Sequence, residues 1–77
     1  MSVKVLLFGV LADKAGCLSL EFMNVNDLNE LNLNIKAKFP FLEEETYVIA
    51  VNQLVVKGNT KLNNNDEVAL LPPFAGG

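Results

Sequence analysis

The chain has 77 residues, 51% of them hydrophobic, and a net charge of −3, which allows one domain with a small core. With no His and the single Cys17, it can form neither an internal disulfide nor a structural zinc site, so we expect no metal and no bound cofactor. The absence of a basic cluster and of an apolar run of about 20 residues argues against nucleic-acid and membrane partners, and we expect a cytoplasmic protein.

The predicted elements begin with a buried strand over residues 3–11, where Val, Leu and Phe predominate. Residues 13–16 supply a turn. Residues 17–23 then alternate, with apolar side chains at every second position from Leu18 to Phe22. This alternation predicts a half-buried second strand, which completes a hairpin with the first.

A helix is predicted next, because apolar residues recur every three or four positions from Leu28 to Phe39. Asp27 is the expected N-cap, and Glu30 three residues later completes a capping box. Pro40 ends the helix, since the residue before a proline is driven out of the α region.

The second half of the chain predicts further strands. An acidic linker at residues 43–45 precedes a third strand over 46–52 and a short fourth strand over 54–56. A tight turn follows, in which Asn65 is expected to adopt the left-handed conformation. The last predicted strand covers residues 67–71 and is stopped by two prolines.

These elements predict an α+β fold, summarised as ββαββ, in a single domain over residues 1–77. Two hairpins around one helix indicate a mixed sheet with that helix packed on one face.

The end of the chain, residues 72–77 (PPFAGG), is the first feature that points to function. Two terminal glycines add nothing to a core, and a frayed terminus is the simple interpretation. Their chemistry is nevertheless specific. A tail without side chains can thread a narrow channel and present its α-carboxylate there for activation, and stiff prolines would hold it away from the body.

The second feature is the sheet face that the single helix leaves uncovered. An apolar patch on that face, beside the tail, would favour docking to a partner. The alternative is that residues 40–45 cover it. The residues expected to face the helix are Val3, Val5, Leu7, Val68 and Leu70, and those expected on the open face are Leu6, Phe8, Ala69 and Leu71.

Three segments carry a resemblance to a known family. Residues 66–77 match an ending of the form D-E-V-A-hydrophobic-hydrophobic-P-P-x-x-G-G, residues 50–53 match A-V-N-Q, and residues 4–8 match the first strand. Over essentially its whole length, the sequence resembles the small subunits of molybdopterin synthase. These belong to the ubiquitin-like sulfur carriers, which also include the thiamine-pathway carrier.

The resemblance implies a β-grasp fold and a carrier function. Gly77 would be adenylated with ATP by an activating enzyme similar to ubiquitin E1, and a sulfur donor would convert it to a thiocarboxylate. The tail would then enter the large subunit, which supplies the catalytic residues, and give sulfur to a cyclic pyranopterin precursor to build a dithiolene. Family synthases are heterotetramers with two small subunits at the ends of a large-subunit dimer. The residues assigned to sulfur carriage are Gly76 and Gly77, and those assigned to the partner are Leu6, Phe8, Ala69, Leu71, Pro72, Pro73, Phe74 and Ala75.

Three alternatives stay open at the level of the sequence. The chain could carry sulfur for thiamine or cysteine synthesis, it could be joined to lysines as a ubiquitin-like modifier, or it could be an interaction module whose tail has no chemical role.

Overall fold

A computed structural model describes residues 1–73, so the predictions for Phe74, Ala75, Gly76 and Gly77 lie outside the described residues. In chain order, the described elements are β1 (Ser2–Leu7), α1 (Val10–Ala15), β2 (Ser19–Met23), α2 (Leu28–Lys38), a 3₁₀ helix (Pro40–Glu44), β3 (Val48–Val51), β4 (Leu54–Val55) and β5 (Glu67–Leu71).

The five strands form one sheet in the order β2-β1-β5-β3-β4. β1 and β5 run parallel, and the other neighbouring pairs are antiparallel. The predicted mixed sheet is therefore confirmed. The summary ββαββ is one strand short, because β3 and β4 already form the second hairpin and β5 follows them. The last strand lies in the middle of the sheet.

The hydrophobic core lies between one sheet face and the helices. The strand residues predicted to face the helix are all at most 2% exposed, which confirms that prediction. Leu31 and Ile35 of α2 are buried in the same core, as expected from the apolar spacing of that helix. The confirmed strand residues are Val3, Val5, Leu7, Val68 and Leu70.

The start of α2 is capped as predicted. The Asp27 carboxylate accepts a hydrogen bond from the backbone N–H of Glu30 at 2.9 Å. The Glu30 side chain reaches back to the backbone N–H of Asn26 at 2.6 Å, one residue earlier than in the usual capping box. The helix ends at Lys38, two residues before Pro40, in agreement with the predicted stop.

Replacing Asp27 with Ala should lower the free energy of unfolding by about 1 kcal/mol, because the Glu30 N–H loses its partner at the helix start. Urea denaturation measures this directly. Asn34→Ala, at an exposed position in the middle of the same helix, should be neutral or slightly stabilising. Equal stability of the two variants would show that the cap contributes nothing.

The prediction of a first strand over 3–11 is wrong beyond Leu7. Gly9 has a φ of 58°, which turns the chain away from the direction of β1, and the chain then continues as α1. Leu11 lies on that helix and is fully buried in the core. The prediction failed because a short apolar run fits a buried strand and a buried helix equally well. Leu18 also departs from its predicted buried position, since it precedes β2 and is 74% exposed.

The later predictions are mostly confirmed with shorter boundaries. β5 has the predicted limits, Asn65 has the predicted positive φ of 69°, and β3 is shorter at both ends than the predicted 46–52. The predicted linker at 43–45 overlaps the 3₁₀ helix. Leu42 of this 3₁₀ helix is buried in the helix-side core, so the segment lies on the side of the sheet opposite the open face.

Candidate functional site

The open sheet face has a continuous apolar region at the end where the chain leaves β5. Strand register places Leu6 of β1 next to Ala69 of β5. Ala69 is paired in turn with Ala50 of β3, and Leu71 with Val48. Paired residues in neighbouring strands share a face, so these five side chains form one surface. We call this surface the docking face; its members are Leu6, Phe8, Val48, Ala50, Ala69 and Leu71.

The docking face is uncovered in the described part of the chain. Phe8 is 43% exposed, and Leu6, Ala69 and Leu71 are half-buried. The 3₁₀ helix packs against α2 on the opposite side. The alternative in which residues 40–45 cover this face is therefore wrong.

Two members of the docking face, Val48 and Ala50, were not predicted from the sequence. Ala50 is only 5% exposed but does not belong to the helix-side core. The available signal was the alternation along the third strand, but using it requires knowing that β3 lies beside β5. That pairing is non-local and follows only from the sheet order.

The base of the tail is anchored in the centre of the sheet. β5 has β1 on one side and β3 on the other, so the chain leaves from a strand that is hydrogen-bonded along both edges. The Phe8 N–H donates to the Leu70 carbonyl at 3.3 Å, which extends the β1–β5 contact to the strand end. Pro72 is half-buried at this point and Pro73 is exposed. Of the predicted site residues, the structure thus brings Leu6, Phe8, Ala69, Leu71, Pro72 and Pro73 together.

A cluster of three charged residues lies on the open face at the end opposite the tail base. Lys4 is paired in register with Glu21 of β2 and Glu67 of β5. The surface thus changes from mixed charge near the start of β5 to apolar near its end. A partner bound to this face would bury apolar area next to the tail base and meet one lysine between two glutamates farther away.

Residues 1–73 contain no group of three or more His, Cys, Asp or Glu that could hold a metal ion. Burial raises the pKa of Tyr47, whose hydroxyl donates to the Asn32 side chain at 2.7 Å. That tyrosine therefore stays protonated at neutral pH and belongs to a structural contact. The described helices include none that is long and apolar enough to cross a membrane.

Comparisons with known proteins agree with this geometry. The sequence profile of the ThiS family matches residues 5–77. The chain is 33% identical, over its whole length and 99% of the relative, to a molybdopterin synthase sulfur carrier subunit from Mycobacterium tuberculosis.

Two solved structures extend the similarity to the fold. One is a complex of subunits 1 and 2 of molybdopterin-converting factor from Helicobacter pylori. The matched chain of that complex is 32% identical to this one, with a TM-score of 0.77, and the match covers 100% of this chain and 100% of that chain. The other is small archaeal modifier protein 1 from Methanosarcina acetivorans, with 26% identity, a TM-score of 0.84 and coverage of 99% of this chain and 96% of that one. The similarity confirms the predicted ubiquitin-like β-grasp fold.

Proposed function

Because this chain belongs to the ThiS family, we propose that it is the sulfur carrier subunit of a molybdopterin synthase. The observation that carries the proposal is the position of the tail base at Pro72, where the chain leaves the central strand beside an uncovered apolar face. The full-length similarity to the M. tuberculosis carrier subunit supports the same function.

The proposed chemistry takes place at the α-carboxylate of Gly77. One carboxylate oxygen attacks the α-phosphate of ATP, pyrophosphate leaves, and an acyl adenylate forms. A sulfide-level donor then attacks the acyl carbon and expels AMP, which leaves a C-terminal thiocarboxylate. The activating enzyme supplies the acid–base groups for both steps.

Sulfur delivery is proposed to occur inside a large subunit. The thiocarboxylate sulfur attacks a carbon of the cyclic pyranopterin precursor and forms a C–S bond, while the C–O bond at that carbon breaks and the displaced oxygen takes up a proton and leaves. Water then attacks the glycyl carbonyl and breaks its bond to sulfur, so the sulfur stays on the pterin and Gly77 returns to a carboxylate. Two such transfers build the dithiolene. The apolar end of the docking face would set the position of the tail during this step, because it is continuous with Pro72.

The proposed assembly is a heterotetramer with two carriers at the ends of a large-subunit dimer. The solved H. pylori complex of subunits 1 and 2 supports contact with a large subunit. We place the reaction in the cytoplasm, where ATP for the activating enzyme is available and the single Cys17 needs no oxidative pairing.

Reconstitution tests this function. The chain with a chemically installed C-terminal thiocarboxylate, mixed with a large subunit and the pyranopterin precursor, should yield sulfurated pterin and the carboxylate form of the carrier. The matched control is the same chain with its ordinary carboxylate, which should yield none. Transfer to a thiamine or cysteine precursor instead of the pterin would assign the carrier to one of those pathways.

A second candidate is protein modification, favoured by the similarity to small archaeal modifier protein 1. In that case the activated Gly77 would be joined to lysine side chains. Peptides carrying Gly-Gly on lysine, found in digests of cells with the chain and absent after its deletion, would support this function.

A further inference from the structure

Gly9 lies in close contact with the first residue of the tail. A Cβ atom built on Gly9 would be 2.9 Å from Cγ of Pro72 and 3.7 Å from its Cδ. Real Cβ contacts essentially never reach the shorter of these distances. The backbone at Gly9, with φ 58° and ψ −135°, is also one that L side chains rarely adopt.

The sheet brings these two residues together where two parallel strands separate. The pairing of β1 with β5 continues to the hydrogen bond between the Phe8 N–H and the Leu70 carbonyl. Beyond this hydrogen bond, the segment after β1 turns at Gly9 into α1, and the segment after β5 continues from Leu71 to Pro72. The missing side chain of Gly9 leaves the space in which the Pro72 ring lies.

Two other glycines show that the backbone alone does not explain this contact. Gly16 and Gly58 also have positive φ values, of 77° and 79°, but a Cβ at either would meet nothing within 4 Å. Gly9 combines the unusual backbone with a neighbour that belongs to the tail.

We infer that Gly9 is a positioning residue that sets the direction in which the tail leaves the sheet. It acts through Pro72, whose ring fixes its own φ near −65° and so passes the direction on to Pro73. The inference deepens the proposed function and rests on it in one respect, which is that the tail must enter an enzyme. Its structural part, the contact between Gly9 and Pro72, can be tested without any sulfur chemistry.

Kinetics of adenylation test the functional part. For Gly9→Ala we expect the KM for the carrier to rise about tenfold with kcat within about twofold of wild type, because a redirected tail must be reoriented before it inserts and reacts normally afterwards. Gly16→Ala is the matched control, with a positive φ but open space, and its KM and kcat should stay at wild-type values. An unchanged KM in Gly9→Ala, or an equal rise in both variants, would overturn the inference.

Pro72→Ala shows whether Gly9 acts through the proline. This variant removes Cγ and Cδ, the atoms that a Cβ at position 9 would meet. Pro72→Ala should raise KM by itself, and adding Gly9→Ala should then change it by less than about twofold. Independent effects that multiply in the double variant would contradict a route through Pro72.

Backbone NMR tests the contact itself. In Gly9→Ala, the shifts of Leu71 and Pro73 should move more than those of the opposite sheet edge, whereas Gly16→Ala should leave them in place. If Gly9→Ala does not fold, the NMR spectrum of Pro72→Ala tests the contact instead. In that variant the amide shifts of Gly9 and Val10 should move. Unmoved shifts in the folded variant would show that the contact is absent and would reject the inference whatever the sulfur chemistry.

Discussion

Deleting Gly77 alone should lower the rate of sulfur loading by at least about 1,000-fold. One residue contributes up to about 3.5 Å of reach, so the new terminal carboxylate of Gly76 would stop short of the adenylation site. A misplacement of about 1 Å already can cost about 100-fold in rate. Adenylation is measured as pyrophosphate release with the activating enzyme and ATP.

Two controls separate reach from stability. Gly77→Ala keeps the chain length and should load much faster than the deletion. The deletion itself should unfold at the wild-type urea concentration, since the lost residue has no side chain to contribute to the core. Loading of the deletion variant within about tenfold of wild type would show that adenylation does not depend on the reach that Gly77 supplies.

Placing a charge on the docking face should have the second largest effect. Leu71→Asp is expected to weaken binding to the large subunit by at least about 100-fold, or about 2.7 kcal/mol, because the carboxylate would be desolvated at the apolar end of the face without a partner. Leu71 is half-buried and lies between the tail base and Val48. Isothermal titration calorimetry measures the change.

The matched control for this substitution is Leu33→Asp. Leu33 lies on α2 and is 71% exposed, so it adds the same charge to a part of the surface away from the docking face. Its affinity should be close to wild type, and thermal denaturation should confirm that both variants are folded. If the two variants bind equally well, the large subunit contacts another surface of the carrier.

The sequence allowed the local features of the fold to be predicted. Alternation placed Val5 and Val68 on the buried face, the Asp27 cap marked the start of the helix, and Asn65 was placed in its turn by its tolerance of positive φ. Each of these depends on neighbouring residues, whose spacing is visible in the chain itself.

The features that escaped prediction depend on non-local contacts. The helix α1 was hidden in an apolar run, and only packing of Leu11 into the core distinguishes it from a strand. Val48 and Ala50 join the docking face because β3 pairs with β5. The contact of Gly9 with Pro72 joins residues far apart in the sequence. Local composition and period do not tell which distant segments meet in these contacts.

Intact mass spectrometry of the loaded chain tests the central claim most directly. After incubation with the activating enzyme, ATP and a sulfide donor, the mass should increase by the difference between one sulfur atom and one oxygen atom, about 16 Da. The increase should map to the C-terminal peptide and disappear when ATP is omitted. An unchanged mass with an activating enzyme that adenylates the chain, or an added sulfur on Cys17 instead of Gly77, would contradict the carrier function proposed for the tail.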